Sequence, residues 1–475
     1  MNHVLPSLAG LAIAMGGLLA AARVDDAVPA AAGARTAAAD PALRARNAET
    51  FDAVWTIVRD THWDPERVGP AWDAVRAELL PRAEDAADRD ALRAVLAEAL
   101  GRLGQSHFTI IPGELSSAAP GAAELREGRS GATLWFTPRG DEPGAWDALV
   151  VAVDRGSPAE AAGISPGMRV LRIGDRDPGT RLPPGDGLER YQRANVAAAL
   201  ASGEPGSKAT WRVEPMGGEP RDVEVAYEAD PRPQAKFAAL PPMPTELTWR
   251  HLDETERARW GAGDREIGLI AFNIWLIPVA RPFDQAMDTL RTADGIVLDL
   301  RGNPGGIGAM AMGIAGHFTA EPASLGEMRT RDSKLSFVTN PRRASTVGTP
   351  VQPYAGPVAI LVDDASASTT EIFAGGLRHL GRVRVFGRRT AGAALPAMMT
   401  PLPNGDVFLH AFADYRLPDG TALEATGVLP DNARPYDRAD YAREGDPALA
   451  EAVRWIASER RTPRPGTKDP ETQSP

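Results

Sequence analysis

The sharpest chemical signal in the sequence is the run Val358-Ala-Ile-Leu-Val362, followed by Asp363, Asp364, Ala365, Ser366, Ala367, Ser368, Thr369, Thr370 and Glu371. An apolar stretch of strand length gives way to small hydroxyl residues and then to a helical pattern. A serine at such a junction has an exposed hydroxyl, and the N–H groups that open the helix can receive developing negative charge, as acyl transfer to a serine requires. The same residues also cap helices, which is their commoner use. A second junction, Asp299-Leu300-Arg301-Gly302-Asn303-Pro304-Gly305-Gly306, likewise ends an apolar run. Its glycines allow backbone amides to approach a substrate closely, as an oxyanion hole needs, or serve a sharp reversal alone. The spacing fits neither the dinucleotide fingerprint nor a P-loop.

Two further places could supply a base and its orienter. Ser106-His107 follows Leu103-Gly104-Gln105, and the histidine reads either as a proton acceptor or as a packing residue. Glu424 precedes Gly427-Val428-Leu429-Pro430-Asp431 and reads either as a carboxylate that orients a histidine or as an exposed loop side chain. The chain has no cysteine, so thiolate catalysis, disulfides and cysteine-ligated metals are excluded and serine or threonine must do any nucleophilic work. Its seven histidines are too scattered for a ligand set, so neither a metal nor another cofactor is implied. A net charge of −11 with no basic block argues against nucleic acid as a partner.

These residues need elements to position them, and 475 residues with 43% hydrophobic content suffice for several cores. Val4 to Ala22 carries no charge and ends in Ala20-Ala21-Ala22, so residues 1–22 are expected to be a signal peptide, with an uncleaved anchor as the alternative. Residues 23–40 then form a linker. An exported protein is expected, periplasmic or secreted, touching a membrane only if that segment is kept. Residues 41–115 read as a helical domain, with one stripe through Phe51, Val54, Trp55 and Val58 and another through Leu92, Val95, Leu96, Leu100 and Leu103. Residues 127–230 read as short strands with glycine-rich turns, at 132–136, 148–153, 169–173 and 222–227. Asp230 to Thr245, with five prolines, reads as a stiff connector. In residues 246–457, apolar runs at 267–274, 295–300, 358–362 and 383–386 alternate with helical patterns at 283–291, 309–317 and 370–380, which predicts crossover units around a buried sheet. Residues 458–475 are expected to be a disordered tail.

Taken in order, these segments resemble the C-terminal processing serine peptidases, the family of the tail-specific proteases and the tricorn catalytic core, over about residues 45 to 457. The resemblance implies an α/β fold with a crotonase-like catalytic core, an N-terminal helical domain and an inserted, mostly β, PDZ-like domain. Gly156 to Asp175 resembles the middle of a PDZ domain. Ser130 to Phe136 takes the place of the loop that holds a peptide's terminal carboxylate, so Gly131, Ala132, Thr133 and Leu134 are implied as substrate-binding. The family motif places the nucleophile on Ser368 and leaves Ser366 structural. The tail-specific branch has a lysine base, but the matching stretch is Thr390-Ala391-Gly392-Ala393, and Lys208, Lys236, Lys334 and Lys468 lie in no segment the family places at the site. The tricorn-like branch matches instead: His107 is implied as general base, with Glu424 acting through Ser106. The implied oxyanion donors are Thr369 and one of Gly305 or Gly306. His379 is a poor rival, since eleven residues along one helix separate it from Ser368 by about 16 Å.

The implied activity is that of a serine endopeptidase or carboxy-terminal processing peptidase. Its partner would be a peptide or a protein's C-terminus, tails and short peptides being equally open. Two alternatives stand beside it. The scaffold also occurs in interphotoreceptor retinoid-binding proteins, which hold apolar ligands, and a non-catalytic relative could capture peptide ends as an adaptor. Pro304 in the glycine turn and the pair Thr369-Thr370 depart from the family pattern and keep the adaptor reading open.

Overall fold

A computed structural model describes residues 40–115, 127–139, 144–179, 182, 185, 187–432 and 434–460. The expected signal peptide, nearly all of the linker and most of the expected tail lie outside them.

Three helices open the chain: α1 (Pro41–Thr61), α2 (Pro70–Glu84) and α3 (Arg89–Gly101). α1 and α3 begin at Asp40 and Asp88, whose side chains accept main-chain N–H groups of the first turn, and α1 and α2 carry proline at the first helical position. Phe51, Val54 and Val58 are buried against Leu79, Leu92, Leu96 and Leu100. This cluster does not close on itself. It continues into Phe108 of β1 (Phe108–Ile111) and into Leu395, Phe408 and Ala411 from far along the chain. Arg93 of α3 adds a charged tie, reaching the fully buried Asp406 at 2.6 Å. The helical domain is thereby fixed to the α/β core, and the segment carrying Ser106 and His107 lies in the seam.

The inserted β module has an antiparallel sheet of β2 (Ala132–Pro138), β3 (Trp146–Val153), β4 (Arg169–Ile173), β5 (Lys208–Glu214) and β6 (Arg221–Ala226), paired in that order. Helix α4 (Glu189–Leu200) packs over β2 through Ala197 and Leu200. Neither α4 nor β5 is apparent in the sequence, because the helix is rich in alanine and carries two buried arginines, Arg190 and Arg193, where an apolar stripe is the usual signal.

The expected connector is not a spacer. Gln234–Ala235 pairs with Met243–Pro244, and Ala235, Leu240 and Met243 are buried with Ile274 and Leu276. The prolines fix φ, but the apolar residues between them gain more from burial than from spanning a gap.

The core sheet runs β7 (Leu247–His251), β8 (Ile267–Phe272), β9 (Gly295–Asp299), β10 (Val358–Val362) and β11 (Arg384–Gly387), parallel except for β7. Ile296 and Leu298 face one apolar cluster and Val297 another, so both faces are covered and the strands read as unbroken apolar runs. Helix α5 (Ile277–Leu290) starts six residues before the expected Phe283: it carries Pro282 in its interior at the cost of a main-chain hydrogen bond, and it buries Val279, Phe283, Ala286, Met287 and Leu290. Helix α6 (Ala309–Ala315) follows the glycine turn and α7 (Thr369–His379) follows the serine turn. A second small sheet pairs β1 with β13 (Val407–Ala411) and β13 with β12 (Ala397–Pro401), all antiparallel.

Candidate active site

β9 and β10 are parallel neighbours, so the turns that leave their carboxyl ends emerge side by side. Hydrogen bonds lock the two together. Ser366 Oγ donates to Leu300 O at 2.8 Å, Ala367 N–H to Asn303 O at 3.0 Å, and Thr370 Oγ1 to the same carbonyl at 3.0 Å. Trp275 Nε1 in turn donates to Thr370 Oγ1 at 2.8 Å, and Thr369 Oγ1 donates to Gly306 O at 3.0 Å. The two threonines that depart from the family pattern are thus the stitches between the serine turn and the glycine turn.

Ser368 sits at the start of α7 with φ +54°, a conformation that L-residues rarely hold. Glu371 helps to hold it there. This fully buried carboxylate accepts the Ser368 N–H at 3.1 Å, Gly392 N–H at 2.8 Å, Ala393 N–H at 3.0 Å and Thr390 Oγ1 at 2.5 Å, while Ala393 O accepts the same Ser368 N–H at 2.8 Å. His107 also has positive φ, +60°, as has Ala425 beside Glu424 at +59° and Ala238 at +50°. These four are all of the non-glycine residues with positive φ among the described residues, and each is at or beside the cavity or the groups that orient it. Strain gathered in this way is a mark of a functional site.

The structure brings His107, Gly306, Ser368 and Thr369 to the wall of one cavity of about 250 Å³. Glu424 and Ser106 stand behind the histidine. Glu424 accepts the Ser106 N–H at 2.7 Å, the Ser106 hydroxyl at 2.8 Å and the Ala394 N–H at 3.1 Å. Ser106 Oγ is 2.7 Å from His107 Nδ1. With its proton committed to Glu424, that oxygen accepts from Nδ1, which leaves Nε2 as the unprotonated nitrogen, without a partner among the described residues. Burial pushes His107 down to about 4, so the ring is neutral at ordinary pH. Burial pushes Glu424 up to about 7, opposed by its bonds from Ser106 and Ala394. His379, at the far end of α7, lies on the surface 3.6 Å from Asp419.

The two candidate glycines are not equivalent. The Gly305 N–H donates to Asn303 Oδ1 at 3.0 Å, whereas the N–H groups of Gly306 and Thr369 have no partner among the described residues. Gly305 is needed for closeness instead: with φ +100°, a Cβ there would fall 2.7 Å from Ser368 Cβ.

The rest of the cavity wall is apolar, including Phe337, Ile372, Leu395, Met399 and Phe412, with Phe237 and Leu240 from the expected connector. Sequence reasoning missed the last two, and the only available signal was the apolar pair within a proline-rich run. Gly131, Ala132, Thr133 and Leu134 line a different space, a groove of about 430 Å³ between β2 and α4. β2 is an edge strand, so one side of its backbone is unpaired within the sheet. The groove also touches Gly302, Pro304, Asp363 and Ala365, the outer sides of the two turns.

An α/β core with a strained serine at the carboxyl edge of a parallel sheet, and a histidine brought to it from a helical domain, defines a narrow class of architecture. Residues 266–433 match the model of peptidase family S41, and residues 43–101 match that of the tricorn protease C1 domain. The first of these stretches, residues 266–433, is a peptidase family S41 domain. A carboxyl-terminal-processing protease of Picosynechococcus sp. is 29% identical over 61% of this chain, a match that takes in only 61% of that relative's length. Carboxyl-terminal-processing peptidase 3, chloroplastic, of Arabidopsis thaliana is 26% identical over 82% of this chain and 70% of its own. A tricorn protease homolog of Streptomyces coelicolor is 25% identical over 90% of this chain and 33% of its own. Among solved structures, the photosystem II D1 C-terminal processing protease aligns with a TM-score of 0.52 at 20% identity, covering 87% of this chain and 98% of that one. Mature CPAF aligns with a TM-score of 0.56 at 12% identity, covering 86% and 96%. These two likenesses establish the shared fold.

Proposed function

We propose that the chain is a serine-type peptidase that uses Ser368 as nucleophile and His107 as general base, rather than a serine–lysine pair. The observation that carries this reading is the line Glu424–Ser106–His107, which fixes the tautomer whose Nε2 is basic, in the cavity that Ser368 lines. Ser368 Oγ attacks the scissile carbonyl carbon as its proton passes to His107 Nε2. The carbonyl oxygen, now an anion, accepts from the N–H groups of Thr369 and Gly306. Collapse breaks the C–N bond, and the leaving amine takes the proton from His107. Water then repeats the sequence on the acyl-enzyme and releases the acid. Glu424 favours the transient imidazolium through Ser106.

The apolar wall favours substrates with an uncharged, apolar side chain beside the cut, since a charge there would lose its hydration without a partner. The groove between β2 and α4 is a PDZ-like site for an extended peptide end, which can add to the free edge of β2 near Gly131, Ala132, Thr133 and Leu134. The apolar segment Val4 to Ala22 supports export to the periplasm or beyond.

The test is labelling of the full chain with a fluorophosphonate, the adduct being located by mass spectrometry. An adduct on Ser368, lost in both Ser368→Ala and His107→Ala, is the expected result. Labelling that survives His107→Ala assigns the base elsewhere. No labelling of folded protein, with peptides bound all the same, returns the chain to the binding-protein reading.

A further inference from the structure

A backbone conformation such as that of His107, with φ +60°, persists only where the surroundings over-determine it. Ser106 is held by Glu424, as described above. Two residues before His107 and one residue after it, the chain meets a single side chain, that of His62. His62 follows the last turn of α1, where its N–H donates to Val58 O at 3.0 Å, and it is fully buried. Its Nε2 is 2.8 Å from Gln105 Oε1. Its ring stacks on that of Phe108, with 5.9 Å between centres and 11° between planes, and on that of Trp63 at 4.0 Å.

Burial holds His62 below its ordinary range, against the bonds it makes with Gln105 and Asp64, so the ring is neutral at pH 7 and carries one proton. Nδ1 is 3.0 Å from the Asp64 N–H and 3.1 Å from the Asp64 carbonyl oxygen, and accepting from the first satisfies it. Gln105 Oε1 can only accept, so the proton belongs on Nε2. The carbonyl of His62 accepts in turn from Arg331 Nε. Arg331 lies at the tip of the hairpin formed by Ser324–Arg329 and Lys334–Val338, whose Phe337 lines the cavity of Ser368 and His107. One residue therefore touches both the segment that carries the base and the hairpin that walls the cavity.

We propose that His62 is a positioning residue for the reaction, gripping Gln105 and Phe108 on either side of His107 so that the base keeps the backbone path that places it in the cavity with Ser368. This role rests on the peptidase reading above and adds to it a side chain that touches neither substrate nor the reacting atoms. Packing alone does not account for a histidine here. A phenylalanine would stack on Phe108 and Trp63 as well, without the loss of hydration that an imidazole suffers on burial. What the imidazole adds is a donor for Gln105, the residue next to Ser106, and an acceptor that fixes the tautomer of that donor.

His62→Phe in the full chain keeps a buried ring and removes the bond to Gln105. Per folded molecule, kcat for peptide cleavage and the rate of fluorophosphonate labelling of Ser368 should both fall about tenfold while KM changes little. His62→Gln, whose amide can reach Gln105, should restore most of the loss. Gln105→Leu, at a partly exposed position, removes the same bond without altering the core, and the double variant of His62→Phe with Gln105→Leu should be little worse than either. A kcat per folded molecule that is unchanged in both single variants, losses that multiply in the double variant, or a His62→Gln protein as impaired as His62→Phe overturns the proposal. A loss of stability alone, in urea titrations, assigns His62 to packing. Wild-type protein that neither labels nor cleaves, or labelling that survives His107→Ala, removes the reading on which the role of His62 rests. That pattern is distinct from an active wild type that depends on His107 and is indifferent to His62.

Discussion

Ser106 holds both carboxylate oxygens of Glu424, through its N–H at 2.7 Å and its hydroxyl at 2.8 Å, across 318 residues of sequence. The same hydroxyl is 2.7 Å from His107 Nδ1, so the carboxylate acts on the histidine through a neighbouring residue and not directly. A carboxylate in direct contact would orient the ring through one bond. Here the orientation is set twice, once by the Ser106 hydroxyl and once by the chain path that gives His107 its positive φ.

In the proposed mechanism Glu424 stabilises an imidazolium, and Glu424→Gln keeps the shape but removes the charge. We expect kcat to fall by about 10²-fold, within the range general-base catalysis contributes. Ser106→Ala should do similar damage, and the double variant should be little worse than either, because the two act as one unit. Steady-state kinetics on all three proteins checks this. Additive losses would mean that the two residues act separately.

The pH profile follows from the same pair. His107 is neutral above about pH 4, so its own titration leaves the neutral range untouched. Burial pushes Glu424 up to about 7, and in the proposed mechanism only its ionised form supports the His107 cation. kcat/KM should therefore rise with pH through about 7, and in Glu424→Gln that limb should move toward 4 at a lower plateau. Stability runs the other way. A carboxyl whose folded pKa is raised favours the fold below its unfolded value of about 4.5, and that contribution is lost as pH rises through 7. Urea titrations across this range should show a decline in the wild type that Glu424→Gln lessens.

The glycine turn makes a separate prediction. Gly305→Ala would place a methyl 2.7 Å from Ser368 Cβ and 3.0 Å from the Thr369 nitrogen, at a φ that alanine resists. It should lose at least about 10²-fold in turnover, as expected when oxyanion donors and nucleophile are displaced together. Thr369→Val keeps the main-chain N–H and removes only the bond to Gly306 O, so it should lose about tenfold. Equal losses in the two variants would argue that neither acts through the oxyanion donors.

Much of this was legible in the sequence, for a local reason. β10 occupies Val358–Val362 as expected, and the serine turn follows at once, because a buried parallel strand and the helix after it write their signals into contiguous residues. The residues that meet across the molecule are another matter. That Ser106, His107 and Glu424 belong together came from a family likeness, since nothing in a sequence gives the distance between residues hundreds of positions apart. Phe237 and Leu240 were hidden in a proline-rich run whose composition indicates a spacer, and Arg190 and Tyr191 in a helix without an apolar stripe.

Tyr191 is the consequence of that blind spot with most bearing on function. It belongs to α4 of the β module, yet it is 2% exposed and packed against Ala367, Ala391 and Ala393 of the core. Its neighbour Arg190 donates to Thr390 O at 3.0 Å. Thr390, Ala393 and Ser368 are all bound by Glu371, so the helix that walls the groove beside β2 also props the loop that places Ser368. Tyr191→Ala empties this contact and should destabilise the protein by about 3 kcal/mol. If the contact merely fastens two domains, the folded variant will retain its turnover number. If it positions Ser368, as the shared hydrogen bonds indicate, kcat and the rate of fluorophosphonate labelling should fall together by about tenfold while KM changes little, and Tyr191→Phe, which keeps the ring, should restore both. Measuring labelling rate against fraction folded, from urea titrations of the two variants, separates these outcomes.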